Sequence, residues 1–192
     1  IFMFDPVTSR EHRVLRGLGG VVFNDDLLKF SDDRLNASMV WILGNRAIQG
    51  WNCLMPGRPS SVSHFSDGGI VVLRDRSNFL WMDVGEVGLL GRGGHGHNDL
   101  LSIELMLQGV LLVVDPGSYV YTANPEARNL FRSTAYHNSL RIDNQELAQM
   151  SGLWTIENQA IPRDVTVREE DRRVIIQAAH DGYLRLSDPV RH

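Results

Sequence analysis

The sequence has a single cysteine, Cys53, in 192 residues, so it holds no intramolecular disulfide and no thiolate zinc cluster. That fits a cytoplasm or a periplasm equally. It also has a single lysine, Lys29. Every other basic side chain is an arginine or a histidine; arginine grips carboxylates through its planar fork, but genome composition produces the same bias. No apolar run approaches the roughly 18 residues of a membrane span, and the longest, Val110 to Val114, is strand-sized. Positive charge is not in excess. The formal net charge of −4 gives no reason to expect nucleic acid or an anionic membrane as partner. The start, Ile1-Phe2-Met3-Phe4-Asp5, has no initiator Met and no basic n-region, and the end, Asp188 to His192, carries no stop signal. Both ends read as cut from a longer chain. Internal repeats and low-complexity tracts are absent.

What remains is ordinary for a globular protein: 43% apolar residues and 22% charged. The length suits one domain, or one domain and part of a second. Residues 1 to about 55 read as helical. Asp32 or Ser31 is placed to cap a helix through Leu35, Met39, Ile42 and Leu43, Gly44 to end it, and Asn45 to Cys53 to form another short helix. Residues 56–69, rich in Pro, Ser and Gly, read as a linker. Strand-length segments follow at 69–74, 78–84, 101–107, 110–115, 139–143, 156–160, 165–168 and 174–179, with Glu169 to Arg172 as a charged hairpin tip. The expected division is a helical part over 1–57 and an antiparallel β-sandwich over 58–192, incomplete at its C-terminal end.

The chemistry concentrates between Gly91 and Asn138, where two readings compete. Gly91, Gly93 and Gly96 spell G-x-G-x-x-G, and Asp115 follows at the distance of a ribose-binding acid in a nucleotide-binding Rossmann unit. That unit needs a helix over 99–108. Leu101, Ile103, Leu105 and Leu107 instead alternate with Ser102, Glu104, Met106 and Gln108, the period of a strand, and Gln108-Gly109 then forms a tight turn. The other reading is a metal site of His97, Asp115 and His137. If 101–107 and 110–114 form a hairpin, His97 and Asp115 lie at the same end of it, and His137 opens the next segment. Two imidazoles and a carboxylate suit Zn²⁺. Against this stands the bland alternative that each histidine is a hydrogen-bonded structural residue.

Three ordered blocks bear on the choice. They are His95-Gly96-His97-Asn98-Asp99-Leu100-Leu101-Ser102, Leu112-Val113-Val114-Asp115-Pro116-Gly117-Ser118-Tyr119, and Phe131-Arg132-Ser133-Thr134-Ala135-Tyr136-His137-Asn138. Together they resemble the C-terminal part of heparinase II/III-like polysaccharide lyases, and of the related oligoalginate lyases. The resemblance implies an antiparallel β-sandwich packed on an N-terminal α/α toroid, of which residues 1–57 would be a remnant. It implies that His97, Asp115 and His137 hold a mainly structural zinc ion and that His95 is catalytic, facing an acidic, uronate-containing polysaccharide. It also implies a periplasmic or secreted enzyme whose catalytic tyrosine comes from the toroid, so that these residues alone would be inactive.

Such lyases work by β-elimination: the uronate carboxylate is neutralised, a base takes the C5 proton, and an acid protonates the leaving O4. His95 suits one of these tasks near neutral pH. Arg132 is a candidate to pair with a substrate carboxylate, or else a tie to Asp115 or a loop carbonyl. Tyr121, with Tyr119 and Tyr136, is a candidate to stack on sugar or donate a phenol. Asn98 is a candidate substrate contact or, with Asp99, an orienter of the histidines. Two other functions stay open: a non-catalytic carbohydrate-binding module, and a nucleotide-binding domain using Gly91 to Gly96.

Overall fold

A computed structural model describes residues 12–192 apart from 59, 76 and 158. The expectation of helix over residues 1–11 lies outside the described residues. The chain divides into two compact units that meet in sequence between Ser60 and Ser61.

The first unit is helical. α1 (Arg13–Phe23), α2 (Ala37–Leu43) and α3 (Asn45–Cys53) enclose a small core of Val21, Met39, Ala47, Trp51 and Leu54. The cap of α2 is Asn36, whose side chain accepts from Ser38 N at 2.8 Å, and neither Ser31 nor Asp32 plays that part. Asp33 instead is buried against Arg16 and accepts from Phe30 N, which holds this stretch in a turn and delays the helix. Lys29 Nζ donates to Trp51 O and Leu54 O at 2.9 and 2.8 Å, satisfying carbonyls at the end of α3.

The second unit is an antiparallel β-sandwich. One sheet is a meander, in which β1 (Val62–Phe65), β2 (Ile70–Asp75), β3 (Asn78–Asp83), β4 (Ile103–Leu107) and β5 (Val110–Val113) lie in chain order. The other is the hairpin of β6 (Pro162–Glu170) and β7 (Arg173–His180), which turns at Asp171. Val71, Leu73 and Met82 from the first sheet share one apolar cluster with Val165, Val167, Ile176 and Ala178 from the second. β1 falls inside the segment read as a linker.

The alternating run does make a strand. β4 pairs antiparallel with β5 through Gln108 and Gly109, whose φ values of 51° and 78° are the two positive values a tight hairpin turn needs. No crossover helix lies between β4 and β5, so the nucleotide-binding reading fails at this point. Two other expectations are corrected. Residues 139–143 form no strand: Asp143 and Asn144 have positive φ, and Ile142 packs into the core from a loop pinned by the Tyr183 hydroxyl donating to Leu140 O at 2.9 Å. Neither do the described residues of 156–160, where Ile156 and Ala160 enter the core from a loop. The long excursion between β5 and β6 carries α4 (Pro125–Phe131) instead. Asn124 caps it by accepting from Ala127 N at 3.0 Å, Pro125 sits at its first position and Glu126 in its first turn.

Candidate metal centre

The hairpin β4–β5 brings its two open ends together, with the loop 91–102 entering β4 and Asp115 leaving β5. Asn138 joins them. Its Nδ2 donates to Ile103 O at 3.1 Å and to Val114 O at 2.9 Å, and Ser139 Oγ donates to Leu100 O at 2.7 Å. His137, next in line, is thereby laid against Asp115, with its side chain fully buried. The third residue arrives without a strand of its own. It sits just after a single 3₁₀ turn, Thr134–Tyr136, held by the Glu146 carboxylate. That carboxylate accepts from Thr134 N (2.7 Å), Thr134 Oγ1 (3.0 Å) and Asn98 Nδ2 (3.1 Å).

Ligand atoms of His97, Asp99 and His137 lie within 4.8 Å of one another, and the His97 and His137 ring centroids are 5.1 Å apart. His137 Nδ1 donates to Asp115 Oδ2 at 2.5 Å, which leaves Nε2 with its lone pair. That Nε2 is buried and has no hydrogen-bond partner among the described residues. An orphaned imidazole nitrogen beside a second imidazole and a carboxylate is a donor set that suits a zinc ion. Burial, and then His137, pushes the His97 pKa down to about 4, so its imidazole is neutral and free to ligate at neutral pH. Asp115 is placed differently from the expectation of a ligand pure and simple. Its Oδ2 meets His137 and its Oδ1 accepts from Gly117 N at 2.8 Å, as an orienting carboxylate does. Asp99, expected as an orienter, stands within reach of both imidazoles.

His97, Asp99 and Asp115 line a cavity of about 440 Å³ whose wall also carries Asp83, Glu86 and Glu157. Burial, and then Asp99, pushes the Asp83 pKa up to about 7, and burial raises that of Asp99. Gly96 lets the loop run along this wall, since a Cβ there would fall 2.4 Å from Val87 O.

His95, expected as catalytic, is exposed at the cavity rim, with Nδ1 2.7 Å from the Tyr121 hydroxyl. Of the three tyrosines named from sequence, Tyr121 alone joins it, while Tyr119 and Tyr136 pack on Phe131. Arg132 is a correction. It is fully buried, so it cannot meet a polymer; its guanidinium donates to Asn129 Oδ1 and Gly152 O, the loop-carbonyl alternative. Asn98 is likewise 1% exposed, exchanging hydrogen bonds with both the N–H and the carbonyl of Ala148. Both hold the site's frame from behind. Glu146, Arg128 and Trp154 belong to the site and were missed. For α4, which carries Arg128, the Asn124-Pro125-Glu126 start was the available signal.

By fold, the chain is similar to a solved heparinase III (TM-score 0.53, 18% identity, 67% of this chain and 20% of that one). It is similar to a further heparinase III structure (0.54, 19%, 76% and 22%). A heparan sulfate lyase from Pedobacter heparinus is also similar (0.55, 16%, 89% and 24%). The chain thus spans about a fifth to a quarter of the length of these proteins, and at such identities the likeness is one of fold. No curated protein matches at the sequence level. The family model described as heparinase II/III-like, C-terminal, matches residues 57–192. Since that match covers most of the sequence, the chain belongs to the heparinase II/III-like family.

Proposed function

We propose that this chain is part of a polysaccharide lyase that cleaves uronic-acid-containing polysaccharide by β-elimination, and that His97, His137 and a neighbouring carboxylate hold a structural zinc ion. The observation that carries the reading is the His95–Tyr121 pair, 2.7 Å apart at the rim of an acidic cavity. In the elimination a base removes the C5 proton of a 4-linked uronate, the C–H electrons form the C4–C5 double bond, and O4 departs with a proton. A phenol hydrogen-bonded to an imidazole suits one of those two transfers, because both groups exchange protons and the hydrogen bond orients them. Zinc, when bound, supplies the positive charge that balances the crowded carboxylates and fixes the loops bearing His95 and Asp115. The other proton-transfer group and the neutraliser of the substrate carboxylate are assigned to the longer protein, outside the cell membrane; this chain alone binds and does not turn over. A non-catalytic carbohydrate-binding module is the second reading, in which the exposed His95 and Tyr121 side chains contact sugar without transferring a proton.

Elemental analysis of the chain and formation of unsaturated uronate by the full-length protein test this together. Zinc near one ion per chain, lost in both His97→Ala and His137→Ala, is the expected result. The third ligand is then whichever of Asp99→Asn and Asp115→Asn also loses it. In the full-length protein His95→Ala should abolish elimination while zinc stays bound. Retained elimination in that variant would sink the catalytic assignment, and retained sugar binding without any elimination by the wild type would favour the module.

A further inference from the structure

The four residues Gly152 to Thr155 form a tight turn closed by an antiparallel bridge between its ends. Three of its carbonyls are held by two guanidiniums from α4 and its C-cap. Arg128 Nε donates to Leu153 O at 3.1 Å, and Arg132 Nη2 donates to Gly152 O and, at 3.5 Å, to Thr155 O. Arg128 is 2% exposed and Arg132 not at all. Neither is paired with a carboxylate among the described residues; their other bonds go to Gly94 O and Asn129 Oδ1. Burying two cations without counter-charges is costly unless their donors are satisfied. The outcome of that cost is one rigid turn, tied through Gly94 to the loop that carries His95.

The turn presents Trp154. Its indole is not part of either apolar core, unlike that of Trp51. It stays 39% exposed, with the Arg128 guanidinium carbon 4.2 Å from the ring centroid. The Tyr121 and His95 rings flank it at 5.4 and 5.8 Å between centroids. A large, stiff, half-exposed aromatic beside a polar pair is what a sugar-binding surface needs. A pyranose ring offers one face of C–H groups to stack on an indole, with hydroxyls and carboxylate at its edge to reach polar neighbours. The two unneutralised cations behind the indole add a positive potential at this rim, in contrast to the acidic cavity beside it.

We propose that Trp154 is the stacking platform for one uronate ring of the polymer, set beside His95 and Tyr121, and that Arg128 and Arg132 are positioning residues that fix it and bias the subsite towards acidic sugar. The inference rests on the reading of this chain as carbohydrate-binding and names the residue that selects the ring. Its test is titration of the chain with an unsulfated hexasaccharide of alternating 4-linked glucuronate and N-acetylglucosamine, and with the same oligosaccharide after reduction of its carboxyl groups. Binding is read by calorimetry and by indole fluorescence. The expected result is a Kd weakened about tenfold or more in Trp154→Ala and Trp154→Leu, with the fluorescence change lost, and no change in the exposed Trp41→Ala. The carboxyl-reduced sugar should bind the wild type several-fold more weakly. Trp154→Leu keeps an apolar side chain, so it decides the matter if the alanine variant unfolds. Wild-type affinity in a folded Trp154→Leu variant overturns the platform and leaves the lyase reading untouched. Equal affinity for the reduced sugar overturns the acidic bias. A wild-type chain that binds neither sugar at millimolar concentration overturns the platform together with the carbohydrate reading of this chain.

Discussion

Arg132 illustrates how a residue's role is decided by what its terminal atoms reach. Its place two residues after Leu130 and five before His137 suggested a cation facing substrate, yet the side chain is fully buried and ends on Asn129 Oδ1 and the Gly152 carbonyl, with Nη1 unpartnered. Burial, and then the neighbouring Arg128 charge, draws its pKa below the usual arginine value. Removing it empties the fully buried space its side chain fills and takes the charged donor from Asn129 Oδ1 and Gly152 O. Arg132→Ala is therefore expected to lower the unfolding free energy by about 3 kcal/mol, measured by urea denaturation, the size of a lost charged hydrogen-bond network. A change below about 0.5 kcal/mol would mean that water replaces the guanidinium and that the turn does not depend on it. His137, by contrast, was legible. Its imidazole is buried with Nδ1 against Asp115 and Nε2 without a hydrogen-bond partner among the described residues, and its sequence block had singled it out as a candidate ligand.

Among the elements, the hairpin β4–β5 does most to assemble the site, because its two-residue turn returns Asp115 to the end where His97 enters. Alternating hydrophobicity and a Gln-Gly turn made that hairpin readable, since a one-residue slip would turn its apolar face to solvent. The loop before it has a different constraint. Gly96 runs so close to Val87 O that a methyl group would sit 2.4 Å away. Gly96→Ala should displace His95 and His97 together, weakening zinc by an order of magnitude or more in a chelator competition while costing about 2 kcal/mol of stability. Unchanged zinc affinity in that variant would show that the loop follows the metal and is not shaped by its glycine. α4 and the 152–155 turn escaped the sequence reading for a plain reason. Each is a few residues long, and their bonds run to Gly94 and to one another across 20 to 34 positions, where no local period exists.

For the molecule as a whole, buried histidines couple stability to pH. His180 is fully buried, accepting from Gly182 N through Nδ1 and bonded through Nε2 to His192 at 2.9 Å. Burial, and then His192, pushes its pKa down to about 4 from an ordinary 6.5. The unfolded chain therefore binds this proton first. The stabilisation is complete above pH 6.5, is lost as pH falls towards 4, and amounts to roughly 2–3 kcal/mol over that interval. Asp83 acts oppositely: its pKa, raised to about 7, makes stability fall as pH rises from about 4 to 7. His180→Gln isolates the first effect, and its thermal midpoint should change less between pH 7 and pH 4.5 than that of the wild type. Parallel curves for the two proteins would sink the assignment. The sequence by itself determined the mostly β architecture and the β4–β5 hairpin, and singled out His95, His97, Asp115 and His137 as candidates around its open end, because strand period, turn chemistry and short motifs are local properties of the chain. Tertiary structure alone decided that Asp99 approaches the two imidazoles, that Arg132 and Asn98 face inward, and that Trp154 stands beside His95. Those facts depend on which distant carbonyls and carboxylates a side chain meets once the core has closed, and nothing within a few residues of any of them specifies that.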